Sequence, residues 1–325
     1  MNTGLACRIC GSSRLGAHVI APEMMFGTRE EFAYLPCLAC GTLQIADFPA
    51  DMAAHYPPGA YYSFNNAGGL SFLKRAVRRV VAGTMIGRPD RATRGGGVID
   101  RIKRGAEPWT AAVPGLKRSD SVLDVGCGEG ARLEALVALG FSDLSGIDPF
   151  LPPERAGKTS SGITLMRGEL ASADRRYDLI TMHHSLEHVQ EPGRLLEQAR
   201  DRLAPGGRLL VRIPLLQPWA WERFGTRWAQ LDPPRHFYLF TTEAFINLAE
   251  RSGLACTSHG FDGMGWSIAW SEGYARDIPM NEPNGRANAL PFDGGEMAAF
   301  EREARRHNAV GEGEAGWFVL EPAAR

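Results

Sequence analysis

Four of the six cysteines come in two matched pairs, Cys7-Arg8-Ile9-Cys10-Gly11 and Cys37-Leu38-Ala39-Cys40-Gly41. Each pair sets two thiolates on one tight turn, and the glycine after the second cysteine permits that turn. Two such turns facing each other make a tetrahedral all-sulfur site, which Zn²⁺ favours, and four sulfur ligands leave no position for a reacting water. The expectation is a structural zinc on Cys7, Cys10, Cys37 and Cys40. The 26 residues between the pairs exceed the usual spacing and predict a β-hairpin or ribbon insertion. A redox dithiol belongs at a strand-to-helix junction, which suits these turns poorly. Cys127 and Cys256 stand alone, one as a small filler in a glycine loop and the other as a strand residue.

A second chemical pattern is Val122-Leu123-Asp124-Val125-Gly126-Cys127-Gly128-Glu129-Gly130. Strand, GxGxG and helix in succession make a loop that approaches a ligand closely and offers free N–H groups at the helix start. Dinucleotide sites space their glycines as G-x-G-x-x-G, so this loop is of another kind. Asp124 ends the strand. Asp148 ends the next one, about 20 residues past the loop, where a carboxylate can accept both hydroxyls of a ribose. Glu169 follows the third strand, where it would lie beside the base. The third cluster is Met182-His183-His184-Ser185-Leu186-Glu187-His188, at the carboxyl end of a fourth strand.

These residues need strand ends gathered at one edge of a sheet. Residues 119–262 supply them, alternating short apolar strands with helical patterns. Strands are predicted at Val122–Val125, Asp143–Ile147, Ile163–Met166, Leu179–Met182, Arg208–Ile213, Ala255–His259 and Trp317–Leu320. Helices are predicted at Ala131–Leu139, through Leu196 to Leu203, and at Thr242–Ser252, with Thr241 or Thr242 as N-cap. Residues 263–325 are rich in Gly and Pro, with one polar helix near Glu296–His307. The expected organisation is a cysteine domain over 1–48, a helical connector over 49–118, and a third domain over 119–325 with a lid insertion around 263–314.

From Val122 to Thr242 the chain resembles the class I S-adenosylmethionine-dependent methyltransferases. The matching segments are Asp124-Val-Gly-Cys-Gly-Glu-Gly, Gly146-Ile-Asp148, Tyr177-Asp-Leu-Ile, Ser185-Leu-Glu-His188 and Leu203-Ala-Pro-Gly-Gly-Arg-Leu. The resemblance implies an α/β fold, a doubly wound, Rossmann-like seven-stranded sheet of order 3-2-1-4-5-7-6, beside a small zinc-ribbon-like domain. It implies S-adenosyl-L-methionine across the carboxyl ends of the first strands, near Asp124, Gly126, Cys127, Gly128, Asp148 and Glu169, with His183 bordering it. The two cysteine knuckles before such a domain are similar to zinc-bearing methyltransferases that act on sugars, usually carried on a nucleotide, in bacterial antibiotic and surface-polysaccharide pathways. Those relatives often carry a further C-terminal domain.

A methyl-accepting oxygen must lose its proton, so a base with a pKa near neutrality is useful. His184 is the first expectation for it, with Glu187 and His236 as further catalytic candidates. In ubiquinone-type O-methyltransferases a similar segment reads acid-x-x-Glu-His and can hold a divalent cation, which makes a cation at His184, Glu187 and His188 an alternative. The same letters spell the H-x-x-E-H of zinc proteases, but there the motif lies within a helix, and here it starts in a strand-end loop. His236 lies in Leu231-Asp232-Pro233-Pro234-Arg235-His236-Phe237, a loop expected at the catalytic mouth, where Arg235 and His236 could hold an anionic or hydroxylated substrate.

Among 325 residues the formal net charge is −1. That balance argues against a bulk nucleic-acid binder, which needs a basic surplus, and Arg8, Arg14 and Arg29 are too sparse to make the knuckles a nucleic-acid grip. No apolar leader or spanning stretch is present, so the expected location is the cytoplasm and no membrane partner is expected. Trp219, Trp221, Trp228, Trp266, Trp270, Tyr61 and Tyr62 read first as packing and second as site lining. Lys74, Arg75, Arg78 and Arg79 read as a solvated face of a helix from Leu70 to Ile86. The expected partner is a small-molecule substrate, and the expected reaction is transfer of a methyl group to a sugar hydroxyl. The alternatives are a non-catalytic S-adenosylmethionine-binding regulator and a zinc-dependent nucleic-acid methyltransferase.

Overall fold

The computed structural model describes residues 6–56, 86–87 and 109–324. Tyr61, Tyr62, the basic helical face from Lys74 to Arg79 and the Gly95–Gly97 run lie outside the described residues. The segment between the cysteine pairs is the expected hairpin: β1 (Val19–Pro22) and β2 (Glu31–Pro36) pair antiparallel, and β3 (Leu43–Ile45) follows the second pair.

The short helix α1 (Trp109–Ala112) precedes β4 (Val122–Val125), which is buried at every residue. A strand covered on both faces reads as a continuous apolar run, not an alternation. Helix α2 (Ala131–Leu139) begins after Gly130 and ends at Gly140, with Leu133, Leu136 and Leu139 buried along one side. Next come β5 (Leu144–Asp148), β6 (Gly157–Lys158), β7 (Thr164–Arg167), β8 (Tyr177–His183), α3 (Pro192–Asp201) and β9 (Leu203–Pro214). Then α4 (Pro218–Phe224), β10 (Tyr238–Leu239), α5 (Thr242–Arg251), β11 (Leu254–Phe261), α6 (Gly265–Ala275), α7 (Gly294–Ala309) and β12 (Ala315–Pro322) complete the chain.

The larger sheet runs β11-β12-β9-β8-β4-β5-β7-β6. Apart from the two-residue edge strand β6, which pairs antiparallel with β7, this is the expected seven-stranded order 3-2-1-4-5-7-6. β4 lies parallel to both β5 and β8, so the order reverses at β4. Ligands of open α/β sheets bind at the carboxyl strand ends beside such a reversal.

Two of the elements that differ from expectation show why. Residues 265–275, read as irregular, form α6. Eight of its residues are buried, Gly265 through Tyr274, so no polar face marks it as helical. Its Gly265 is packed against the Glu301 backbone of α7 so closely that a Cβ has no room. The second is β10, which adds a fourth strand to the cysteine-region sheet through Tyr238↔Gln44 and Leu239↔Leu43.

The chain folds into two compact units, neither contiguous in sequence: residues 1–57, 186–194 and 212–317, and residues 58–185, 195–211 and 318–325. Among the described residues, no helix is long and apolar enough to cross a membrane.

Candidate functional site

In the second unit, the carboxyl ends of β4, β5 and β8 gather Asp124, Gly126, Cys127, Gly128, Asp148, His183 and His184. The loop after β4 turns through three left-handed glycines, Gly126 at φ 76°, Gly128 at φ 52° and Gly130 at φ 83°. A Cβ on Gly126 would fall 2.6 Å from that of Ser185, and one on Gly146 would fall 2.6 Å from the Cys127 sulfur. The loop is thus pressed onto its neighbours, and only small residues allow it.

Asp148 is buried, and its oxygens accept the Gly128 amide at 2.9 Å and the Phe150 amide at 2.8 Å. Burial raises its pKa and the two amides work against that rise. A carboxylate has about four lone-pair sites, so two amides leave acceptor capacity for hydroxyls. Asp124 is buried and accepts the Thr181 hydroxyl at 2.7 Å. Burial, followed by the charges of Asp124 and Asp148, pushes the Cys127 thiol far up, so it packs as an apolar group. Glu169 is exposed and leads into the turn Leu170–Ser172. The His183 ring is buried 4.9 Å from that of Trp109. His184 is half-buried with a left-handed backbone at φ 51°. That conformation is unusual for a non-glycine residue and concentrates at functional sites.

In the first unit, the chain leaves β8 through the turn Leu186–His188, where Glu187 is wholly buried. Its backbone carbonyl accepts the Phe237 amide at 2.8 Å, which brings the 232–237 loop alongside. One nitrogen from each of His188 and His236 and one oxygen of Glu187 lie within 4.8 Å of one another. His236 Nδ1 is 2.7 Å from the Gln230 carbonyl, and His188 Nδ1 is 2.8 Å from the Arg235 carbonyl. A carbonyl only accepts, so each Nδ1 carries a proton, and Nε2 is the nitrogen of each ring that faces away from these carbonyls. His236 Nε2 then faces Glu187 Oε1 and Asp232 Oδ2, both at 3.9 Å. Burial, followed by the neighbouring His236, lowers His188 to about 4, so that ring is neutral at pH 7. The Tyr56 hydroxyl lies 3.0 Å from His188 Nδ1.

The family model "Methyltransferase domain" matches residues 98–259. A ubiquinone biosynthesis O-methyltransferase of Cereibacter sphaeroides is 28% identical over 182 residues, which is 49% of this chain and 70% of that protein. This chain belongs to the class I S-adenosylmethionine-dependent methyltransferases. Among solved structures, a Haloferax volcanii methyltransferase in complex with its activator Trm112 aligns at TM-score 0.45 and 17% identity, covering 77% of this chain and 96% of that one. The Burkholderia thailandensis 1,6-didemethyltoxoflavin-N1-methyltransferase aligns at TM-score 0.43 and 13% identity, covering 90% and 96%.

This methyltransferase carries four of its six cysteines as one cluster. Cys7 and Cys40 sulfurs are 3.8 Å apart, those of Cys10 and Cys37 are 3.6 Å apart, and all four lie within 4.8 Å of one another. Ligands at about 2.3 Å from a tetrahedral zinc stand about 3.8 Å from each other, so the four sulfurs fit that ion. Gly11 and Gly41 take φ 75° and 76°, and their amides close each knuckle onto the carbonyls of Cys7 and Cys37.

Arg235 does not serve as a substrate clamp as its sequence position suggested. It is fully buried, with its guanidinium engaged by Asp232, Glu23 and the His55 carbonyl. Burial alone would lower its pKa, but those two carboxylates outweigh burial and raise it. Arg8 and Arg29 are likewise engaged, Arg8 with the carbonyls of Ile45 and Ala46 and Arg29 with Asp277. The structure adds His188, Asp232 and Tyr56 to the residues around His236. Their sequence signal was weak: His188 stood in the motif, but nothing in the spacing joined it to a loop more than 40 positions later.

Proposed function

We propose that this methyltransferase transfers a methyl group to a hydroxyl oxygen of a sugar or nucleotide sugar in a biosynthetic pathway, with His236 as the proton acceptor. The observation that carries this reading is the His236 ring, whose Nδ1 is tied to the Gln230 carbonyl and whose Nε2 lies 3.9 Å from both Glu187 Oε1 and Asp232 Oδ2, two carboxylates placed to stabilise a proton gained there. S-adenosylmethionine supplies an electrophilic methyl on a sulfonium. The acceptor hydroxyl gives its proton to His236 Nε2 while the oxygen takes the methyl, and S-adenosylhomocysteine leaves with the carbon–sulfur electron pair. Glu187 and Asp232 stabilise the imidazolium so formed. Asp148 takes the ribose hydroxyls, Gly126, Cys127 and Gly128 line the cofactor loop with Asp124 beneath it, and Glu169 and His183 border the adenosyl group. His184 contributes at the reacting end, which its left-handed backbone supports. Cys7, Cys10, Cys37 and Cys40 hold a structural zinc.

Two observations favour a second reading for part of this set. Both histidines have Nδ1 tied to a carbonyl, the outer-shell pattern that orients metal-bound imidazoles, and Glu187 completes a two-His, one-carboxylate group. A divalent cation there would lower the pKa of the acceptor hydroxyl directly. Release of S-adenosylhomocysteine from thymidine diphosphate sugars, compared with catechols, with and without a chelator, tests both readings. Turnover on the sugars that is lost in His236→Gln and kept with chelator supports the base. Turnover on catechols alone rejects the sugar assignment.

A further inference from the structure

We infer that Glu23, in the hairpin between the two cysteine pairs, is a positioning residue for the His188–His236 pair. The inference rests on the reading of His236 as the proton acceptor. Glu23 is 1% exposed, and its carboxylate is the meeting point of two structures. On one side it closes its own hairpin turn, accepting the amides of Phe26 at 2.8 Å and Thr28 at 3.1 Å and the Thr28 hydroxyl at 3.1 Å. On the other it accepts Nη2 of Arg235 at 2.7 Å.

Arg235 carries that connection to both rings. Its backbone carbonyl holds the Nδ1 proton of His188. Its guanidinium fixes Asp232, through Nε to both carboxylate oxygens and Nη2 to Oδ1. Asp232 Oδ2 in turn faces His236 Nε2, and the Asp232 carbonyl accepts the amides of Arg235 and His236. A fully buried guanidinium is stable only with its donors matched. With Glu23 neutral, Arg235 keeps Asp232 and loses its other anion. The guanidinium then re-aims, and the backbone carbonyl and the carboxylate that orient the two rings move with it. The cysteine hairpin therefore does more than stiffen the fold: it supplies the far anchor of the histidine pair.

The test uses the full chain with ¹⁵N in its histidine rings, with signals assigned by His188→Gln and His236→Gln. The wild-type rings should show the Nδ1–H tautomer. In Glu23→Gln, both should shift toward the average of the two tautomers, while His18 and His259 keep their signals and S-adenosylhomocysteine affinity by calorimetry changes less than twofold. Arg235→Lys, which keeps the charge and loses the fork, should shift the same two rings. Glu23→Asp should restore part of the wild-type pattern. Unchanged His188 and His236 signals in folded Glu23→Gln overturn the inference. So does unfolding of both Glu23→Gln and Arg235→Lys, because a group that only orients two rings is not required for folding. If His236→Gln leaves methyl transfer to a thymidine diphosphate sugar intact, the base assignment fails, and the ring shifts still decide whether Glu23 positions the pair.

Discussion

Asp148 and Glu23 are both buried carboxylates that bind backbone amides, yet they are built in opposite ways. Asp148 takes its amides from Gly128 and Phe150, within one β-loop-α-β stretch of chain. Glu23 takes amides from its own turn and then an arginine 212 residues away. The first arrangement follows from local backbone conformation, since left-handed Gly128 aims one N–H and Phe150, two residues past Asp148, supplies the other. The second depends on two distant segments each being held in place. The cofactor end should therefore tolerate loss of the cysteine cluster, whereas the histidine pair should not.

The largest expected effect breaks that comparison open. Cys37→Ser removes one of four sulfur ligands. Structural zinc contributes about 10–16 kcal/mol of apparent binding free energy in small domains, so losing a ligand should cost on the order of 5 kcal/mol. Elemental analysis should fall from about one zinc per chain toward none, and the thermal transition should broaden or split as the first unit melts early. A variant that melts as sharply as wild type and keeps its zinc would remove Cys37 from the ligand set, and a wild type with no zinc would remove the metal from the account.

Next in size is Asp148→Ala, which acts on the other side of the comparison. Hydrogen bonds to charged groups contribute about 1.5–3 kcal/mol, so S-adenosylmethionine affinity by calorimetry should fall about 10- to 100-fold. The ring signals of His188 and His236 should stay where they are. Equal affinity in the variant would displace Asp148 from the ribose.

How much of each region was legible follows the same division. The run from β4 through the glycine loop to Leu139, the end of α2, could be read residue by residue, because strand burial, glycine spacing and helix termination are local. The four cysteines were legible because their chemistry is fixed by two short motifs. Helix α6 was not, since burial on nearly every side erases the polar face that marks a helix. The pairing of Tyr238 with Gln44 was not, since two-residue strands carry no period. Glu23, Tyr56 and Asp232 were passed over for a related reason: each looks like an ordinary loop residue until the fold brings a partner to it.

Glu314 offers a smaller test of the first unit by pH. It is buried at the start of the β12 segment, accepts the Trp228 indole N–H at 2.8 Å, and has Ser267 and Glu303 as neighbours. Burial pushes its carboxyl up to about 7. An acid whose folded pKa lies above its unfolded value costs stability as pH rises from about 4.5 to about 7, after which the penalty is constant. Glu314→Gln removes that slope. At pH 8 the variant should be more stable than wild type by at most about 3 kcal/mol, and near pH 4 the two should melt alike. A wild-type stability that is flat across that window would show the carboxylate ionised in the fold.

Thr241→Ala should have the smallest effect and is the sharpest probe of how local the first unit can be. Thr241 caps α5 by accepting the Ala244 amide at 3.1 Å, and its hydroxyl also lies 3.1 Å from the Cys40 carbonyl, to which it donates. Its methyl sits where a Cβ on Gly41 would come within 2.8 Å. If the cap alone matters, the variant should lose about 1 kcal/mol, the ordinary cost of a missing N-cap. Chemical denaturation would then show an unchanged slope, and zinc retention against a chelator would equal that of wild type. If the link to Cys40 also steadies the second knuckle, zinc should leave faster than from the wild type at matched stability. In that case, even the most local device in this unit would be part of the long-range assembly that sets it apart from the cofactor end.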